Sequence, residues 1–267
     1  MTAYHGGKQR TGLRIAKAIA DETGEIVDDT DFVLKGSCEP FCGMLGVYRH
    51  IPALFEDEDL VRRGFRYKAG DANRSVVAMW KAVQRGWKPP VKTSEAEFER
   101  LRRDGKHRAK KGFIGHQYSF GGQYFQGFVG KYSKHGSPGK RAEKRPVKNA
   151  GAVKRVLEVG EDIAEAKVMF SGGPYTQFSK LRGYVIYCDP PYAKFSKYYG
   201  DDRKRIPFDH NAFWDWCRRM SEHNIVFVSE YSAPRDFKNV LRQRNSSATK
   251  GKRNSKRERV FIHQTWF

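Results

Sequence analysis

Tyr184-Val185-Ile186-Tyr187-Cys188-Asp189-Pro190-Pro191-Tyr192 is the stretch that decides the fold. Residues 184–188 form a short apolar strand that runs directly into a carboxylate, two prolines and an aromatic ring. A carboxylate leaving the carboxyl end of a parallel strand lies where α/β sheets bind their ligands. The two prolines stiffen the turn and remove two backbone donors, which leaves carbonyl oxygens as acceptors. Asp189 and the Pro190 carbonyl can together accept both hydrogens of an exocyclic amino group, and Tyr192 offers a flat face on which a base can stack. Accepting those hydrogen bonds favours a pyramidal, nucleophilic nitrogen over one conjugated with its ring, and methyl transfer to an amino nitrogen needs such a nitrogen.

Outward from this turn, strands alternate with helices. Residues 8–20 place Leu13, Ala16, Ile19 and Ala20 at helical spacing behind Gly6-Gly7. Val33-Leu34 leads into Glu39-Pro40-Phe41-Cys42-Gly43, read as a strand and a tight turn, and residues 67–71 read as a second strand ending at Asp71. Residues 73–83 fit a helix with Val76, Val77, Trp80 and Val83 on one side. After the catalytic turn come a helix with Phe213, Trp216, Cys217 and Met220 on one face and the strand Ile225 to Val228. Residues 260–266 read as an antiparallel edge strand. The pattern predicts an α/β chain with a doubly wound, mostly parallel sheet. The stretch from Arg49 to Gly64 is long for a connection, and the residues assign it no role.

Charge divides the chain the same way. Its 267 residues hold 51 Lys and Arg against 30 Asp and Glu, a net charge of +21. Residues 88–165 carry 18 basic and nine acidic side chains, and residues 238–259 carry nine and one, so 17 of the +21 lies in these two segments. Residues 1–87 and 166–237 are close to neutral and are expected to form the catalytic domain, together with the C-terminal strand up to residue 267. The segment 88–165 is expected to be an inserted recognition module. Its aromatics, Phe113, Tyr118, Phe120, Tyr124, Phe125, Phe128 and Tyr132, divide between a small core and a recognition surface. A globular protein this basic meets polyanions, and 13% aromatic residues exclude a disordered basic tail. Lys131, Lys134, Lys140 and Arg141, with Lys252, Arg253, Lys256 and Arg257, are candidate phosphate contacts. Gln117, Gln123, Gln126 and Arg141 are candidates for reading base edges.

No apolar run approaches the roughly 20 residues of a membrane span, and no apolar segment follows the basic N-terminus. Cys38, Cys42, Cys188 and Cys217 lack the paired spacing of a zinc site, so no metal is expected, and they read as buried thiols of a cytoplasmic protein.

Together these motifs give the chain a resemblance to the Dam-type DNA adenine-N6 methyltransferases, in which the cofactor motifs come first and the recognition module precedes Asp-Pro-Pro-Tyr. Tyr4-His5-Gly6-Gly7-Lys8 is similar to the family's aromatic-x-Gly-Gly-Lys motif, Glu39-Pro40-Phe41-Cys42-Gly43 to its Glu-Pro-Phe-x-Gly turn, and Asp71-Ala72-Asn73 to its Asp-x-Asn. The resemblance implies a Rossmann-like methyltransferase sheet with S-adenosylmethionine as cofactor. It implies cofactor contacts at Tyr4, Gly7, Lys8, Glu39, Pro40, Phe41, Gly43, Asp71 and Asp189, with Asp71 on the ribose hydroxyls and Phe170, Ser171 and Phe178 near the cofactor adenine. Asp189, Pro190 and Tyr192 are then the catalytic residues, acting on an adenine flipped out of duplex DNA in a restriction–modification setting, by a monomer or weak dimer. The same residues could hold the amino group of cytosine or of an RNA adenine, and a non-catalytic DNA-binding protein on the same scaffold is the alternative from another class. One position departs from the family turn. Its second glycine, two positions after the first, is Leu45 here, so either Gly46 takes over with a shifted turn or cofactor affinity is weaker.

Overall fold

The computed structural model describes residues 7–129, 146–192, 198–199, 206–244 and 257–267. A seven-stranded sheet runs through it. In chain order the strands are β1 (Gly36–Glu39), β2 (Arg66–Asp71), β3 (Met169–Gly172), β4 (Tyr184–Cys188), β5 (Ile225–Glu230), β6 (Phe237–Arg244) and β7 (Arg257–His263). They lie side by side as β6-β7-β5-β4-β1-β2-β3. The first five are parallel to one another, and β7 is antiparallel to both β5 and β6. The chain therefore winds outward from β1 to β3, returns to β4 beside β1, and winds the other way. This is a doubly wound, Rossmann-like sheet, and its order reverses between β1 and β4, where such sheets take their ligands.

The strands lie where the apolar residues put them, with two differences. The first strand begins at Gly36 and excludes Val33, which is 67% exposed. At Gly36 the chain lies against β2 and the Tyr184 ring so closely that a Cβ would come within 2.2 Å of the Arg66 carbonyl. The last strand is not an edge strand. It lies between β5 and β6, with Val260 and Ile262 buried, and it ends at His263, after which Gln264–Trp266 form a 3-10 turn. The true edge is β6, whose mixed sequence Phe-Lys-Asn-Val-Leu-Arg-Gln-Arg suits a strand with one side unpaired.

Seven α-helices accompany the sheet among the described residues: α1 (Gly12–Asp29), α2 (Ile51–Asp57), α3 (Arg74–Gln84), α4 (Glu95–Arg103), α5 (Arg108–Gln117), α6 (Ala150–Glu165) and α7 (His210–Ser221). Helix α1 starts later than its apolar spacing suggests, because the amides of Thr11 and Gly12 both donate to the Lys8 carbonyl and close a turn first. The Asn73 side chain caps α3 by accepting from the Ser75 amide at 3.0 Å. Alternate strand residues bury into two layers. Val185, Tyr187, Ile225 and Phe227 belong to a core with α1, α3 and α6 residues, and Ile186, Cys188, Val226 and Val228 to an aromatic core with α7.

The 49–64 segment has a packing role: α2 inserts Ile51 and Phe55 into the core, and Arg49 pairs with Asp162 of α6 at 2.8 Å. Within 88–165, α5 packs on α3, with Gly112 against the Ser75 carbonyl, and α6 buries Val153, Val156, Val159 and Ile163 in the main core. All four cysteines are buried and free. No described helix is long and apolar enough to cross a membrane, and the described residues hold no cluster of potential metal ligands.

Candidate active site

The carboxyl edge of the sheet collects acids. Glu39 ends β1, Asp71 ends β2, Asp189 follows β4 and Glu230 ends β5. Because β7 runs the opposite way, its start lies at this same edge, and that delivers Glu258. One lysine enters the group, carried on the turn before α1. The Lys8 ammonium lies 2.7 Å from each Asp189 oxygen and 2.9 Å from Glu258 Oε1. It also stands 4.9 Å from the centre of the Tyr192 ring, whose hydroxyl donates to Glu258. Tyr231 meets the Tyr192 ring edge-on at 5.1 Å.

Burial sets the protonation states. Desolvation opposes the charge on Lys8, but Asp189 and Glu258 outweigh it and raise the amine above its usual range. Desolvation raises the Asp189 carboxyl while Lys8 pulls it back and Glu258 pushes it up. Glu39 is raised well above the usual carboxylate range by burial, then by repulsion from Asp189. Glu230 is pushed up to about 7, first by burial, and its Oε2 has no hydrogen-bond partner among the described residues.

Another set of hydrogen bonds fixes the turn after β1. The Gly43 amide donates to Asp71 Oδ2 at 3.0 Å, and the Asn73 amide to Asp71 Oδ1 at 2.7 Å. Asp71 thereby ties the turn to the start of α3, and burial raises its carboxyl to about 6 against those two bonds. The Trp80 indole donates to the Gly43 carbonyl at 2.8 Å. Leu45 itself takes the left-handed conformation, at φ 53°, and its side chain is fully buried in the core. Gly46 serves another purpose: a Cβ there would come within about 3.0 Å of the Lys8 backbone, so this glycine lets the Lys8 turn settle on the loop. Gly12 packs closer still, where a Cβ would fall 1.8 Å from the Gly46 carbonyl. The two glycines dock the Lys8 segment and so bring the lysine to Asp189.

The structure thus unites Lys8, Glu39, Asp71, Asp189 and Tyr192 at one edge, with Pro190 buried between the last two in sequence and Gly7 exposed beside Lys8. Phe41 packs in the aromatic core against Tyr175, Phe208 and Phe213. The Phe178 ring covers Gly70, one residue before Asp71. Gln117 is buried, whereas Gln123, Gln126 and Phe120 are exposed; Phe113, Tyr118, Phe125 and Phe128 are core residues. Tyr4, Lys131, Lys134, Lys140, Arg141, Lys252, Arg253 and Lys256 lie outside the described residues, as does the side chain of Arg257.

Sequence reasoning missed Glu258, Glu230 and Trp80. Glu258 had a signal: it is the one acid among the nine bases of residues 238–259.

No protein-family model matches the chain, and no curated protein matches it. Among solved structures, the rRNA methyltransferase AviRa from Streptomyces viridochromogenes aligns in two crystal structures at 11% identity, covering 95% of this chain and 85% of that one, with TM-scores of 0.35 and 0.34. A likeness this distant adds nothing to what the strand order already establishes about the fold.

Proposed function

We propose that this protein is an S-adenosylmethionine-dependent methyltransferase that modifies the N6 amino group of adenine in duplex DNA. The observation that carries the reading is the sign of the site. In a chain of net charge +21, five carboxyl groups and one lysine among the described residues gather at the ligand-binding edge of the sheet, where Asp189 and Glu258 pair with the lysine. Such an edge suits a cofactor with positive charge, which favours ionisation of the raised Glu39, Asp71 and Glu230 carboxyls, better than one that bears phosphate. S-adenosylmethionine, which carries a sulfonium and an ammonium, has that character. The residues also fit it in detail. Glu39 Oε2 is buried with no hydrogen-bond partner among the described residues and can accept from an ammonium or hydroxyl, and Asp71 stands at the end of the second strand, where a ribose diol is held.

When bound, the cofactor supplies an electrophilic methyl group, whose transfer to an amino nitrogen breaks the S–C bond, forms an N–C bond, leaves a neutral thioether and releases one proton. Asp189 and the Pro190 carbonyl accept the amino hydrogens, and the Tyr192 ring, braced by Tyr231, stacks on the base. These groups are preorganised, so catalysis comes from positioning and electrostatics. The base must leave the helix to reach them, and the basic segments 88–165 and 238–259 grip the phosphates around it. Helix α6 anchors the recognition module to the core.

Incubating unmodified duplex DNA and RNA with the protein and methyl-labelled cofactor, followed by nucleoside analysis, tests this reading. It expects label in N6-methyladenine from DNA. Label in methylcytosine, or in RNA alone, changes the target, and no label in any nucleic acid refutes the reading.

A further inference from the structure

Two carboxylates hold Lys8 at once. Its Nζ lies 2.7 Å from both oxygens of Asp189, 2.9 Å from Glu258 Oε1 and 4.9 Å from the Tyr192 ring centre. Asp189 and the Tyr192 face are also the groups that the proposed chemistry gives to the target amino group. The lysine therefore stands where the amino nitrogen has to go. A nitrogen that becomes positive during alkylation is also poorly served by an ammonium beside it, because like charges at close range repel strongly in a dry site.

Lys8 has a second anchor already in reach. Glu258 is 1% exposed, enters from the antiparallel β7, and touches both Lys8 and the Tyr192 hydroxyl through Oε1. Glu39 at the end of β1 and Glu230 at the end of β5 also interact with the lysine through space.

We infer that Glu258 is a positioning residue: it receives Lys8 when the target amino group takes Asp189, and it fixes the Tyr192 ring for stacking. In this structure Lys8 covers both oxygens of Asp189, and binding of the target exchanges one nitrogen donor for another. The inference rests on the amino-methyltransferase reading above.

Glu258→Gln keeps the volume and the bond to Tyr192 but removes the charge that receives Lys8, and Glu258→Asp restores the charge. In Glu258→Gln the KM for nucleic acid should rise about tenfold or more, a loss of roughly 1.4 kcal/mol, with a smaller change in kcat and calorimetric affinity for S-adenosylmethionine within about twofold of wild type. Glu258→Asp should recover much of the KM. Equal losses of kcat and cofactor affinity, without recovery in Glu258→Asp, overturn the inference. One readout needs no turnover. By NMR of lysine-labelled protein, with the signal assigned by its loss in Lys8→Met, the Lys8 amine should titrate about one unit or more lower in Glu258→Gln than in wild type, and an unchanged midpoint overturns it. A wild-type protein that methylates neither DNA nor RNA refutes the functional reading, while the titration still decides whether Glu258 holds Lys8.

Discussion

The carboxyl edge of the sheet and the basic segments carry opposite charge within one chain. Five carboxyl groups and a lysine occupy the edge, whereas residues 88–165 and 238–259 hold 17 of the net +21. The edge is built from strand ends and is mostly buried, so its groups are fixed before any ligand arrives, and their charges act at low dielectric. The basic segments act through many charges whose individual positions matter less, as is usual for groups that grip phosphates. Under the proposed function the contrast is a division of labour: the edge handles a cationic cofactor and an uncharged base, and the segments handle a polyanion.

The two regions should separate most sharply at Asp189. Replacing it with Ala should lower methyl transfer by at least about 100- to 1,000-fold, the range seen when one preorganised group is removed, while DNA affinity in a filter-binding or anisotropy assay stays within a few-fold. A large loss of DNA affinity would mean that the two regions are not separate.

Leu45 tests what holds the edge together. Leu45→Gly relieves a left-handed backbone costing roughly 1–2 kcal/mol, but removes a fully buried side chain whose truncation costs about 2–5 kcal/mol. Burial wins, so urea denaturation should show a net destabilisation of about 2 kcal/mol. A stabilised variant would mean that backbone strain at this turn outweighs the burial of the side chain.

Neutralising Lys252, Arg253, Lys256 and Arg257 addresses the other region. The log–log dependence of DNA binding on salt should flatten by about 0.9 for each phosphate that is no longer neutralised, with kcat on saturating DNA unchanged. An unchanged slope would mean that these charges face solvent.

The pH dependence of stability probes the edge by itself. Glu230 titrates near 7 in the folded protein, above its ordinary value near 4.5, mainly because it is buried. A raised carboxyl binds its proton more tightly when folded, so its contribution is fully present below the ordinary value and is lost as pH rises through about 7. Asp71, raised to about 6, acts with the same sign in a lower window. Wild-type urea midpoints should therefore fall between roughly pH 4.5 and 7, and Glu230→Gln should fall less. Parallel profiles would show that Glu230 is not the group responsible.

Much of this was legible in the sequence, for physical reasons that differ by residue. Strands β2, β4 and β5 and helices α3 and α7 announce themselves because their apolar residues recur at the period of the element. Asp71 and Asp189 were readable because each lies at a strand end beside a glycine or proline, whereas Lys8 and Glu39 were readable only through motifs that resemble the methyltransferase family's. Strand β6 was not, since an edge strand with one free side needs no apolar run. Glu258 reaches the site only because β7 is inserted antiparallel between β5 and β6, a pairing decided far from residue 258 in sequence. The conformation of Leu45 was also hidden, because a leucine at positive φ runs against its local preference and is held there by burial.

The sign of the edge is the central claim, and isothermal titration of the protein with S-adenosylmethionine, and separately with NAD and ATP, tests it most directly. The expected result is one-to-one binding of S-adenosylmethionine that weakens in Glu39→Gln, with no measurable competition from either phosphate-bearing nucleotide. Absence of S-adenosylmethionine binding, or binding of NAD or ATP at the same site with equal or greater affinity, would contradict it.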